Sequence, residues 1–122
     1  MVLCALALSA CKKQSFDDAV LAEVEQFNTK EAPKRIDPFT TFDSMRYDRN
    51  SLRITYFYSV ETDMDINQFP TEEMKAELLK NLHTSIQLKA HKERGLLFHY
   101  LYLRKGNNEK ILDCTFSPED YR

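Results

Sequence analysis

The chain is 122 residues long, with 17 Lys and Arg against 19 Asp and Glu, a formal net charge of −2, and 43% hydrophobic residues. That length holds one domain and one modest core. The near balance of charge excludes the basic excess or stripe that marks a nucleic-acid binder, so no nucleic-acid partner is expected.

An apolar run, Val2 to Leu8, opens the chain, followed by Ser9-Ala10, Cys11 and Lys12-Lys13. The run is far too short to cross a membrane, which takes about 20 apolar residues. The order resembles the lipobox of bacterial lipoprotein signal peptides: aliphatic Leu8, small Ser9 and Ala10, then a cysteine that is lipidated and becomes the mature N-terminus. The basic n-region of such a signal is missing, so either the true start lies upstream or the resemblance is accidental. On the lipoprotein reading, residues 1–10 are a signal peptide, Cys11 carries the lipid, residues 11–14 are a short tether and residues 15–122 form a single α+β domain. Lipoproteins of this class carry several acyl chains on the cysteine, and each buried CH₂ contributes about 0.8 kcal/mol to membrane attachment. Lys12 rather than Asp after the cysteine points, by class resemblance, to the periplasmic face of the outer membrane. With Cys4 removed and Cys11 lipidated, Cys114 stands alone and reads as a small buried hydrophobe in a strand.

Ser15 is a suitable N-cap for a first helix reaching about Asn28, with Asp17 and Asp18 at its positive end and Phe16, Val20, Val24 and Phe27 as its apolar stripe. Lys30 to Pro38 reads as an extended connector, held so by Pro33 and Pro38. Thr40 to Tyr47 reads as a strand with Thr41, Asp43, Met45 and Tyr47 on one face, and Asp48 to Ser51 as a turn. Leu52 to Val60 is the clearest strand: Leu52, Ile54, Tyr56, Tyr58 and Val60 alternate with Arg53, Thr55, Phe57 and Ser59. An acidic loop, Glu61 to Phe69, leads to a second helix capped by Thr71, whose stripe is Met74, Leu78, Leu82, Ile86 and Ala90 and whose stop is Gly95. Leu96 to Leu103 and Lys110 to Phe116 make a hairpin about Lys105-Gly106-Asn107-Asn108. The order α-β-β-α-β-β predicts an α+β domain: a four-stranded antiparallel sheet with two helices on one face.

Chemistry-bearing residues are sparse. Asp63-Met64-Asp65-Ile66-Asn67 opens like a calcium loop, but Gln68 stands where Gly is needed and Met74 where the bidentate Glu belongs, so a solvated linker is expected. His83 and His91 lie eight residues apart, too far for an i, i+4 zinc pair, and read as surface or flank histidines. His99 reads as a hydrogen-bonded sheet histidine; pairing with Cys114 on a neighbouring strand is a chance arrangement. No cofactor, metal site or small-molecule substrate is implied. Tyr56, Tyr58, Tyr100 and Tyr102 could anchor a partner if the sheet leaves one face bare, because aromatic residues dominate interface hot spots.

Asn28, Pro33, Ile36-Asp37 and Thr40-Thr41-Phe42-Asp43-Ser44-Met45, then Ile54-Thr55-Tyr56-Phe57-Tyr58 and later Tyr100-Leu101-Tyr102, resemble a family of small uncharacterised bacterial lipoproteins and exported proteins. In that family a helix precedes a Pro/Asp/Thr segment and a Tyr-rich strand, then come a second helix and a hairpin. The resemblance implies a fold and supplies no activity. The expectation is a membrane-anchored, non-catalytic envelope module that binds a protein partner in a scaffold or pilot role. An alternative is a periplasmic immunity protein or enzyme inhibitor that uses Glu61, Asp63 and Asp65 to block a basic active site; a small hydrolase is the third reading.

Overall fold

The computed structural model describes residues 15–122, so the signal peptide expected at residues 1–10, the lipidation expected at Cys11 and the tether expected at residues 11–14 lie outside the described residues. Ser15 caps α1 (Phe16–Gln26) as its spacing predicts: its Oγ accepts from the Asp18 amide at 3.1 Å, and Val20 and Val24 face inward. The helix does not stop at Asn28. It widens into a π turn, Phe27–Glu31, closed by the Ala32 amide donating to the Phe27 carbonyl. The extra residue in that turn lays Phe27 on Phe42, with ring centroids 4.3 Å apart. It also brings the Asn28 side-chain amide against the backbone of Met45, where it donates to the carbonyl and accepts from the amide, both at 2.8 Å. Asn28 thus acts as a short piece of strand. Asn28→Asp would set a carboxylate oxygen against the Met45 carbonyl; we expect a loss of about 1–2 kcal/mol, read from the urea midpoint, and an unchanged midpoint would remove this clamp as a stabilising contact.

The connector contributes a strand of its own. β1 (Lys34–Arg35) pairs antiparallel with β2 (Thr40–Asp48), and the intervening turn is held by Asp37, whose Oδ1 accepts from the Phe39 and Thr40 amides at 2.8 Å. β2 pairs antiparallel with β3 (Arg53–Val60), and a bulge falls between Phe42 and Ser44. The additional residue, Asp43, breaks simple alternation. Phe42 therefore joins Met45 and Tyr47 on one side, whereas alternation had put Asp43 there.

The expected four-stranded antiparallel sheet is corrected: the sheet has five strands in the order β1-β2-β3-β4-β5, and β3 runs parallel to β4 (Leu97–Arg104). The connection through residues 61–96 carries α2 (Thr71–Thr84) and α3 (Lys89–Arg94) over one face and returns the chain to the starting end of β3. A helix joining neighbouring strands is what permits a parallel pair. β5 (Lys110–Phe116) pairs antiparallel with β4, and α4 (Pro118–Tyr121) closes the described chain.

The long second helix is also corrected. Thr84 bonds back to the Lys80 carbonyl, and Ser85 turns extended and caps the Leu88 amide at 3.2 Å, so the helix breaks and restarts. Ile86, placed on the apolar stripe by periodicity, is 86% exposed at the break. The new direction of α3 buries His91, read from sequence as a surface or flank histidine, to 7% exposure; its Nε2 lies 3.1 Å from Glu23 and Phe16 packs edge-on to its ring. Gly95, at φ +87°, makes the left-handed stop the sequence predicts.

The core lies on the helix-covered side: Val20 and Val24 of α1, Leu82 of α2 and Tyr121 of α4 pack on Tyr47, Ile54, Tyr56, Phe98, Tyr100 and Phe116. Among the described residues no helix is long and apolar enough to cross a membrane.

Candidate partner-binding trough

The alternation of β3 and β4 and their parallel register set Tyr56 beside Tyr100 and Tyr58 beside Tyr102. The rings stack, with centroids 5.0 Å apart in the first pair and 4.4 Å apart in the second. Phe42 stacks on Tyr58 at 4.8 Å, so an aromatic row runs from Phe27 through Phe42 and Tyr58 to Tyr102. These tyrosines face the helices, not the bare side of the sheet where they could have met a partner freely. The residues that alternate with them, Phe57, Leu97, His99, Leu101 and Leu103, lie on the opposite side and are partly exposed.

The helices do not seal the tyrosines evenly. At the Ile54 and Phe98 end, Val20 and Leu82 close the layer completely, whereas Tyr58 and Tyr102 are only half-buried. A trough opens there along α2. Its upper part, about 320 Å³, lies between α2 and β2, over Tyr56, Tyr58 and Tyr100. Leu78 and Asn81 carry it into a middle part bounded by Glu73 and Glu77. Met74 and Tyr102 lead on to an end cavity of about 520 Å³ lined by Val60, Met64, Phe69 and Ile111. Met64 and Met74 give that cavity adaptable walls.

Among the described residues, none of the hydroxyls of Tyr56, Tyr58, Tyr100 and Tyr102 has a hydrogen-bond partner, unlike those of Tyr47 and Tyr121. Burial raises all four, Tyr102 to about 12, which keeps them protonated and able to donate.

The acidic loop serves as a wall of the trough. Arg104 holds it by donating to the carbonyls of Thr62 and Met64, its guanidinium being paired in turn with Glu109 of the β4–β5 turn at 2.9 Å. Glu61 is engaged by Lys105 at 3.1 Å and Arg35 at 3.5 Å, and the Lys105 hydrogen bond foremost holds its carboxyl below the usual range. Asp65 caps the 3₁₀ turn Ile66–Gln68 through the Asn67 amide at 2.8 Å, while Asp63 is exposed. Of the acids proposed to plug an active site, two therefore already have structural work.

His99 is the hydrogen-bonded strand histidine expected, 3.1 Å from Thr55 Oγ1 and 2.7 Å from Asp113. Cys114 sits opposite Tyr100 and His99 opposite Thr115, so their side chains project from opposite faces and form no pair. Burial pushes the Cys114 thiol up. Sequence reasoning missed Phe42, Met74, Leu78 and Asn81. Met74 and Leu78 were visible as stripe positions of the second helix, simple alternation put Phe42 on the opposite face of its strand, and nothing in the pattern marks Asn81.

A family model described as a domain of unknown function, DUF8479, matches residues 15–112, the whole sheet up to the middle of β5. The chain belongs to the DUF8479 family. No curated protein sequence matches it. The DUF8479 chain resembles solved structures in fold. A Pseudomonas aeruginosa protein assigned as secreted superposes with a TM-score of 0.69 at 15% identity, covering 90% of this chain and 100% of that one. The type II secretion pilotin EpsS of Vibrio vulnificus gives 0.67 at 12% identity, covering 83% and 86%. The type II pilotin AspS of Vibrio cholerae gives 0.57 at 12% identity, covering 84% and 98%. At such identities the likeness is one of fold.

Proposed function

We propose that this DUF8479 protein is a non-catalytic, protein-binding module of the bacterial envelope, held to the membrane by lipid on Cys11, and that it takes an apolar segment of an envelope partner into the trough beside α2. The observation that carries this is the trough itself: a stacked aromatic floor continuous with a methionine-walled cavity, left uncovered by the protein's own helices. A concave, mostly apolar cleft with a few polar groups at its rim is the usual form of a binding site. The shared fold with two type II pilotins supports a pilot role, escorting or positioning a component of an envelope assembly. The inhibitor reading has less behind it, because Glu61 and Asp65 are occupied within the loop.

A photo-crosslinking residue tests the site in living cells. Placed at Gln87, on the rim, it should capture one discrete envelope protein; placed at Thr115, on the other face, it should not. Capture from Thr115 with none from Gln87 would move the interface to the bare sheet face and refute the trough.

A further inference from the structure

Two sets of polar groups face the trough, and together they specify its occupant. The charged side chains lining it are Asp37, Glu73 and Glu77; among the described residues no Lys or Arg lines it. Glu73 and Glu77 are exposed on consecutive turns of α2, and neither takes part in an ion pair among the described residues, although nearby Glu72 is taken by Lys75 at 3.3 Å. The second set is Tyr56 and Tyr100. Both line the trough at only 7% exposure, and among the described residues neither hydroxyl has a partner. Both hydroxyls keep contact with the open space of the trough, where a group that enters can bond to them.

Granted the trough as the partner site, we infer that its occupant is a cationic, apolar-faced peptide segment: bulky side chains fill the aromatic floor and the methionine-walled cavity, Lys or Arg meets Glu73 and Glu77, and a hydroxyl, amide or carbonyl meets Tyr56 and Tyr100. Each part answers a group on the wall. Rim acids raise the encounter rate and reject acidic competitors more than they add raw affinity. They also repel an anionic lipid surface, which removes the bilayer as the occupant of this face.

The test uses two synthetic amphipathic peptides with the same Leu and Phe stripe and the same Ser at mid-length, one flanked by Lys and the other by Glu, titrated against the purified protein by fluorescence anisotropy. The Lys peptide should bind about tenfold more tightly at low salt, as expected for two exposed ion pairs. That preference should shrink at high salt and vanish in the double variant Glu73→Gln, Glu77→Gln, whose changes are confined to exposed helix positions. Tyr56→Phe with Tyr100→Phe should weaken both peptides while keeping the preference. Equal binding of the two peptides, or a Lys preference that survives the double variant, would overturn the charge assignment and leave the trough standing as a partner site. Silence of both peptides while Gln87 still crosslinks would overturn the occupant's chemistry alone. Silence together with no crosslink at Gln87 would bring down the trough as well.

Discussion

Phe98→Ala should cost about 3–5 kcal/mol, the range for emptying an aromatic site in a closed core. A domain of this size is stable by only about 5–15 kcal/mol, so the variant should sit near its unfolding midpoint well below the melting temperature of the parent. Phe98 has no exposed surface; it lies on a central strand beside Ile54, and Tyr121 packs edge-on to its ring with centroids 5.4 Å apart. Tyr121 is pinned in turn by its hydroxyl, which donates to the Leu96 carbonyl at 2.8 Å, so the surroundings have little room to collapse into the hole. Phe98→Leu should lose much less. Urea unfolding followed by circular dichroism gives both numbers, and a loss below about 1 kcal/mol for the alanine variant would mean that this end of the sheet is not the closed layer described.

The largest functional effect should come from Asn81→Trp. Asn81 is exposed on α2, where the upper and middle parts of the trough meet. It makes no contact the fold depends on, so a large ring there occupies space a partner needs while the melting curve stays put. A hot-spot loss of about 2.7 kcal/mol corresponds to a hundredfold weaker complex. Asn81→Ala should bind like the parent. The partner captured at Gln87, or the Lys-flanked peptide, supplies the binding curve. Full affinity in Asn81→Trp would show that nothing enters the trough at this level.

Local signals proved readable where local physics decides. The Ser15 cap, the Gly95 stop, the alternation of β3 and the burial of Val20, Val24 and Leu82 follow from side-chain chemistry within a few residues. What escaped the sequence depends on distant partners. Lys34 and Arg35 become a strand only because β2 folds back alongside them, and the helix break at Ser85 is invisible to a four-residue periodicity that Ile86 satisfies. The parallel pairing of β3 and β4 is a matter of which end of the sheet the chain returns to. The tyrosines were offered as partner candidates on the supposition of a bare sheet face; they lie instead under the helices, and the space over Tyr56, Tyr58 and Tyr100 opens between α2 and β2. No residue pattern reports how far a helix stands off the sheet it covers.

The parallel pair has a consequence for how the newborn chain comes together. Polypeptides emerge from their N-terminus, so β2 and β3 can zip up as soon as Val60 is out. The neighbour that covers the far side of β3 arrives only after residues 61–96 have followed. Until then a tyrosine-rich strand edge stays bare, the kind of surface that recruits stray chains. The half-made molecule therefore presents an edge that the finished domain covers with β4.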